Sequence, residues 1–164
     1  DLGNINLTFI ETAPRLPEFV TYLQRTLDFL NSIGLMAKGG ERLGIYLNGL
    51  KISGSAQCVH KNRVLYHCTL LYDTDLTALH KALNPELMVD DETLSSVYAV
   101  PSVRSEVTNI RSYLPEGTVT DFKEKAFQYF SKSQSVSAFT GKEIEAVNQL
   151  REGKYIQKEW IYSR

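Results

Sequence analysis

The chain has almost no excess charge of either sign. Its 164 residues carry 18 Lys and Arg against 19 Asp and Glu, which gives a formal net charge of -1. Proteins that collect nucleic acid non-specifically carry a strong positive field, which this composition cannot supply. We therefore expect no nucleic-acid partner, and any anion that the chain binds must be held by a local arrangement of residues.

Long apolar runs are also missing. No stretch approaches the roughly 20 apolar residues that a membrane-spanning helix needs, and no signal peptide opens the chain. These absences predict a cytoplasmic protein with no membrane partner. The chain begins at Asp1 without an initiator methionine, so we expect an N-terminally truncated domain whose natural start lies upstream.

Cysteine is scarce. Only Cys58 and Cys68 are present, and they fall in two neighbouring strand-like runs that could meet across a hairpin. Two cysteines in an intracellular chain are more often reduced than paired, although a disulfide is conceivable. Together with His60 and His67 they lack the clustered spacing of a structural zinc site, so no such site is predicted.

The residues that are present predict one domain over 1–164 with no C-terminal accessory domain. The composition is 43% hydrophobic, enough for a substantial core. Strands and hairpins alternate with helices, which predicts an α+β fold, a mixed β-sheet flanked by helices. The predicted elements are a strand over 5–10, a helix over 17–33 ended by Gly34, a strand over 43–47, the turn Asn48-Gly49, a hairpin of 51–60 with 63–71, and a helix over 76–83.

Two further helices are predicted near the end of the chain. The first would be capped by Thr120, run through Ser131 and bury Phe122, Ala126, Phe127 and Phe130. The second would span residues 142–151 and end before Gly153, with an apolar stripe facing inward. That stripe consists of Ile144, Val147 and Leu150.

The stretch over residues 48–71 carries the most chemical information. Lys51 stands in an apolar, strand-like setting and is followed at once by the run Ser53-Gly54-Ser55-Ala56. Small residues let a ligand approach the backbone, and an ammonium among apolar neighbours is a strong point charge for phosphate or carboxylate. A lysine beside a glycine turn is, on composition alone, more often a solvated hairpin residue. Both interpretations stay open on these residues.

Four sequence blocks follow one another in a specific order and cover most of the chain. They are Asp1-Leu2-Gly3-Asn4, Lys51-Ile52-Ser53-Gly54-Ser55-Ala56, His67-Cys68-Thr69-Leu70-Leu71 with Asn84-Pro85 after it, and Ser102-Val103-Arg104-Ser105-Glu106-Val107-Thr108-Asn109. In order and spacing they resemble the lipoate-protein ligases of the biotin and lipoate ligase superfamily. The resemblance implies the class II aminoacyl-tRNA synthetase and biotin synthetase-like fold.

The same resemblance implies roles for individual residues. Lys51 would be catalytic, a fixed cation between a carboxylate and a phosphate. His67 can also be interpreted as a hydrogen-bonded core residue, and Arg104 as a structural ion-pair partner. The implied substrate- or adenylate-binding residues are Asp1, Gly3, Asn4, Ser53, Gly54, Ser55, Ala56, His67, Thr69, Ser102, Arg104 and Ser105.

The sequence departs from the family pattern in three places. A loop of the form R-R-x-G-G-G, which in the family precedes the first block, is absent from the 164 residues. Leu43-Gly44 stands where the family has Asn-Asp, which removes a carboxylate from the place where magnesium would be positioned; Glu41 is a candidate substitute. Cys68 replaces a glycine, and we expect its side chain to narrow the site.

The implied reaction joins lipoate to protein with ATP and Mg²⁺. Lipoate would be activated to lipoyl-adenylate and then transferred to a lysine of apo lipoyl domains of 2-oxoacid dehydrogenase complexes, or of the glycine-cleavage H protein. Two alternatives remain. An octanoyl or lipoyl transferase of the same fold would need a nucleophilic cysteine, and neither expected place holds one. A non-catalytic ligand-binding relative would fit the three departures.

Overall fold

The computed structural model describes residues 2–12, 18–83, 105–114, 116–132 and 135–162. The chain divides into two compact units, Asp1–Tyr129 and Phe130–Arg164. All six described strands belong to the first unit. In chain order they are β1 (Asn4–Thr12), β2 (Lys38–Gly39), β3 (Ile45–Leu47), β4 (Leu50–Ser53), β5 (Ser55–His60) and β6 (Arg63–Leu71).

These strands form two antiparallel sheets of three strands each. The first sheet has the order β1-β6-β5 and the second the order β2-β3-β4. The predicted turn at Asn48-Gly49 joins β3 to β4 and is confirmed by positive φ angles of 48° and 83° at its two residues. Such a pair of left-handed residues matches the twist of the strands that it connects.

The expectation of one continuous strand over residues 51–60 is wrong. The chain leaves the second sheet after Ser53 and enters the first at Ser55, so the run is divided at Gly54. Hydrogen bonds hold the crossing in place, because Thr69 N donates to Gly54 O at 2.9 Å and Gly54 N donates to Thr69 Oγ1 at 3.3 Å. Both sheets therefore meet at Gly54.

Helix α1 (Val20–Ser32) covers one face of the first sheet. Its Tyr22 ring stacks on Tyr66 of β6 with a centroid separation of 5.5 Å, and Thr26 Oγ1 lies 3.8 Å from Cys68 Sγ. The helix ends where Gly34 adopts a φ of 89°, as the sequence predicted. Tyr22, Val64, Tyr66 and Cys68 form one buried hydrophobic cluster of the first unit on this face.

Two more helices belong to this part of the chain. Helix α2 (Leu76–Leu83) is capped by Asp75, whose Oδ1 accepts from Thr77 N and Ala78 N. Helix α3 (Val119–Ser131) buries Phe122 and Ala126.

Two expectations for α3 are corrected. Its cap is Thr118, not Thr120, because Thr118 Oγ1 accepts from Asp121 N while the Asp121 carboxylate accepts from Thr118 N. Phe127, which was expected inside, is 53% exposed because it falls outside the stripe that Phe122 and Ala126 define.

The second unit contains helix α4 (Gly141–Leu150), a π-helical turn (Arg151–Tyr155) and helix α5 (Lys158–Tyr162). Thr140 and Glu143 form a capping box at the start of α4. The helical chain continues past Gly153, which was expected to lie beyond the helix end. The inward stripe is also corrected, because its three members are 51%, 55% and 56% exposed: Ile144, Val147 and Leu150. Among the described helices, none has both the length and the apolar character needed to cross a membrane.

Candidate functional site

Lys51 lies in β4 with its backbone held on both sides. On one side β4 pairs with β3, where Tyr46 is the residue opposite Lys51. On the other side Lys51 N donates to Glu106 O at 2.8 Å, and Thr108 N donates to Lys51 O at 3.1 Å. The position of the Lys51 backbone is therefore set by neighbours on two edges.

The Lys51 side chain is half-buried and available. Within the described part of the chain, its ammonium forms no ion pair or hydrogen bond. A partly buried cation without a protein partner is poorly compensated, and an anionic ligand would supply the missing charge. The solvated-hairpin interpretation predicted an exposed side chain, whereas the structure gives a partly enclosed one.

Asn109 anchors the segment that lies beside Lys51. Its Oδ1 accepts from Thr74 N at 3.0 Å, and its Nδ2 donates to Thr74 O at 2.9 Å. Arg111 N adds a hydrogen bond to Tyr72 O. Asn109 is not among the site residues predicted from the sequence, although it is the last residue of the fourth block, and that place was the signal that could have found it. The side chain thus holds residues 106–109 against the segment that follows β6.

Several of the predicted site residues lie on the face of the first sheet that helix α1 does not cover, called here the open face. Side chains alternate between the two faces of a strand, so His67 and Thr69 lie on the face opposite the core. His67 Nδ1 is hydrogen-bonded to Thr8 Oγ1 at 2.8 Å, and Ala56 is opposite His67 on β5. Gly54 is bonded to Thr69 in the next row. His67 is thus a hydrogen-bonded residue on the open face, not in the core.

The expectation that Cys68 narrows the site is wrong. Its side chain is fully buried on the α1 face, because residues 67 and 69 occupy the other face. Burial raises the pKa of the Cys68 thiol to about 11, so the thiol is protonated at neutral pH. Cys58 is exposed on β5, and neither cysteine forms a disulfide.

Ser53 and Ser55 lie on either side of the crossing at Gly54. Ser53 is only 1% exposed and its Oγ donates to Gly54 O at 3.4 Å. Ser55 Oγ donates to Leu43 O and accepts from the Gln57 amide. The two hydroxyls stabilise the path of the chain between the sheets.

The first block places Gly3 and Asn4 against the end of β6. Gly3 O accepts from Tyr72 N and Asp73 N at 3.1 and 3.0 Å. Asn4 Oδ1 is buried and has no hydrogen-bond partner among the described residues, so it can accept a hydrogen bond from a ligand or water.

Four predicted site residues remain. Ser105 is exposed and directly precedes the anchored segment. Asp1, Ser102 and Arg104 lie outside the described residues.

The match of the chain to a known protein family identifies the family to which it belongs. The model of the lipoyl protein ligase A/B catalytic domain matches residues 1–131. The chain belongs to this family. A similar protein is the probable lipoate-protein ligase A of Mycoplasma pneumoniae, 36% identical over 137 residues, which are 82% of this chain and 39% of that protein.

Solved lipoate-protein ligases have the same fold. A lipoate-protein ligase A bound with ATP superposes with a TM-score of 0.74 at 24% identity, over 98% of this chain and 65% of that one. The bipartite lipoate protein ligase of Thermoplasma acidophilum, described with its E2 lipoyl domain, gives a TM-score of 0.71 at 22% identity, over 98% of this chain and 64% of that one. These similarities confirm the α+β, class II synthetase-like fold.

The chain is shorter than the ligases that it resembles. It spans between 39% and 50% of the length of the curated relatives. The activity of a whole lipoate-protein ligase is accordingly a proposal for this chain.

The described residues form no cluster that would hold a magnesium ion without the help of a phosphate. No group of three or more His, Cys, Asp or Glu side chains in the described ranges is placed to hold a metal. Glu41, the candidate substitute, is exposed in a 3-10 turn, and Gly44 supplies no carboxylate. Magnesium is bound in proteins through one or two carboxylates together with phosphate oxygens, and positions 43 and 44 supply none.

Gly54 offers a test that separates binding from folding. Its φ is not left-handed, and an added β-carbon would meet only Thr69 Oγ1, at 3.9 Å. We expect Gly54→Ala to leave the free energy of unfolding within about 0.5 kcal/mol of the original. If the small-residue run lets lipoate approach the backbone, as the resemblance implies, the methyl group should also weaken lipoate binding about tenfold or more. Calorimetric titration with lipoate measures the affinity; unchanged affinity would place the ligand away from Gly54.

Proposed function

We propose that the chain is part of a lipoate-protein ligase that uses ATP to activate lipoate and then transfers the lipoyl group to a protein lysine. The observation that carries the proposal is the half-buried Lys51 ammonium, which lacks a partner among the described residues and projects from a strand fixed on both edges. Membership of the ligase family supports it. Both half-reactions involve a negatively charged phosphate, and the first also involves the lipoate carboxylate. A fixed cation such as the Lys51 ammonium would stabilise these charges.

In the first half-reaction a lipoate carboxylate oxygen attacks the α-phosphorus of ATP. A bond from oxygen to phosphorus forms, the bond to the β-phosphate oxygen breaks, and pyrophosphate leaves with the electron pair. Lys51 brings the carboxylate and the phosphate together and offsets their mutual repulsion. Stabilisation of charge by a preorganised donor is commonly the largest contribution to such catalysis.

In the second half-reaction the neutral amine of an acceptor lysine attacks the carbonyl carbon of lipoyl-adenylate. The new bond from carbon to nitrogen forms, AMP leaves with the electrons of the broken anhydride bond, and the amine loses a proton to solvent or a base. Lys51 then stabilises the departing phosphate. No step is assigned to a protein-held metal, and any Mg²⁺ would enter with the phosphates.

The acceptor class is proposed from the same family. We infer that the acceptors are apo lipoyl domains of 2-oxoacid dehydrogenase complexes, or the glycine-cleavage H protein. The description of the Thermoplasma acidophilum ligase with its E2 lipoyl domain supports the first. We also propose a cytoplasmic location, where ATP and the apo acceptor proteins would both be available.

Acylation from a carrier thioester without ATP is less well supported. It requires an accessible cysteine thiolate, whereas Cys68 is buried with a raised pKa. Cys58 is exposed in the edge strand β5, and in the described part of the chain no hydrogen bond to a base activates its thiol.

The intact mass of an acceptor tests the proposal directly. We expect an apo lipoyl domain to gain one lipoyl group when incubated with the full natural reading frame of this protein, lipoate, ATP and Mg²⁺, and no mass when ATP is omitted. Modification from an octanoyl-carrier thioester without ATP would instead identify a transferase. An unmodified acceptor in both assays would contradict the ligase and leave a binding relative.

A further inference from the structure

Tyr46 is the side chain best placed to work with Lys51. The two residues face each other in neighbouring strands. The Lys51 N–H and C=O are bonded to Glu106 and Thr108 on the far edge, so Tyr46 and Lys51 form a pair without mutual backbone hydrogen bonds. In such antiparallel pairs the two α-carbons are closest, and both side chains project from the same face.

The Tyr46 ring lies over two glycines, Gly40 and Gly44. A β-carbon on Gly40 would be 2.6 Å from Tyr46 Cε2, and one on Gly44 would be 3.0 Å from the same atom and 3.2 Å from the hydroxyl. The ring therefore packs over the backbone at both glycines. Any side chain at position 44 would compete with the phenol for space.

The Tyr46 hydroxyl, like the Lys51 ammonium, is available. In the ranges that the structure describes, it forms no hydrogen bond and is not a buried, unsatisfied group. Two free donors, one cationic and one neutral, thus lie on one face of adjacent strands. A phenolic O–H can donate to a phosphate or carboxylate oxygen, and hydrogen bonds to charged groups are stronger than neutral ones.

We propose that Tyr46 and Lys51 form a single anion-binding pair, in which the Tyr46 hydroxyl donates to a phosphate oxygen of ATP beside Gly44, a position that carries no carboxylate. The pair rests on the proposed function and adds a ligand-binding residue to it. The phenol ring occupies the space over Gly44. In this proposal the Tyr46 hydroxyl and the Lys51 ammonium therefore bind the phosphates directly, without a bridging metal ion. Nucleotide binding should therefore persist when divalent cations are removed.

Tyr46→Phe removes only the hydroxyl and keeps the ring over both glycines. We expect the affinity for ATP, measured by calorimetry with a chelator in place of Mg²⁺, to fall about tenfold, while the melting temperature stays the same. Tyr155→Phe, at a half-exposed tyrosine of the second unit, is the matched control and should bind ATP as the original protein does. Equal affinities of Tyr46→Phe and the original would overturn the proposal.

Gly44→Ala tests the same Tyr46 hydroxyl in a second way, because an added β-carbon would lie 3.2 Å from it. Its added methyl group should displace the Tyr46 ring and weaken ATP binding, and the double variant Gly44→Ala with Tyr46→Phe should be no weaker than the poorer single variant, because both act on one contact. Additive losses would contradict a shared contact.

Absence of ATP binding by the original protein in the presence of the chelator would also overturn the proposed Tyr46–Lys51 pair. A protein that binds ATP through Tyr46 but leaves lipoyl domains unmodified would instead refute only the ligase.

Discussion

Replacement of Lys51 by alanine is expected to lower kcat/KM for lipoylation of an acceptor domain by about 10²–10³-fold, the usual cost of losing one preorganised charge donor. The ammonium has no partner among the described residues, so its loss would remove the proposed ligand contacts and would break no hydrogen bond or ion pair in that part of the chain. The rate of appearance of the lipoylated acceptor, followed by intact mass, measures the effect.

Lys51→Arg sharpens this test. The guanidinium keeps the charge but is planar and reaches differently, so we expect only partial recovery of activity. Both variants should unfold within about 1 kcal/mol of the original protein, because the backbone hydrogen bonds of residue 51 do not depend on its side chain. Activity of Lys51→Ala close to that of the original would refute the catalytic role of this lysine.

Gly3→Ala is expected to destabilise the first unit by about 3 kcal/mol or more. A β-carbon at this position would lie 1.9 Å from Asp73 O and 2.2 Å from Asp73 C. The clash is with backbone, and Gly3 O also accepts two hydrogen bonds from the same segment, so neither strand end can move away without losing them. The midpoint of urea unfolding measures the effect.

Gly54→Ala is the control for Gly3→Ala. Its added methyl group would meet one hydroxyl at ordinary contact distance, so the unfolding midpoint should stay close to that of the original protein. Gly3 is implied by the resemblance to bind substrate, but the structure also gives it a packing role. If Gly3→Ala unfolded like Gly54→Ala, the close backbone contact at Asp73 would be wrong.

Local patterns in the sequence determined the elements whose geometry depends on near neighbours. The alternation in residues 5–10 predicts β1, and the spacing of Leu23, Leu27 and Leu30 predicts α1. Asn48-Gly49 specifies its own turn, because both residues tolerate a positive φ. The four blocks also identified the family, since each residue type is read directly from the sequence.

The arrangement of the site was decided by contacts between distant residues. Division of residues 51–60 at Gly54 depends on Thr69, and the anchored position of residues 106–109 depends on the bonds from Asn109 to Thr74. No local pattern encodes which strand edge a segment will pair with, because those hydrogen bonds use backbone groups that every residue has.

The sequence by itself therefore determined the family, the α+β class and Lys51 as the residue to test. Only the tertiary structure placed Cys68 on the core face. The physical reason is register: a shift of one residue along a strand exchanges its two faces, and the register of β6 is set by its pairing with β1, about 60 residues away in the sequence.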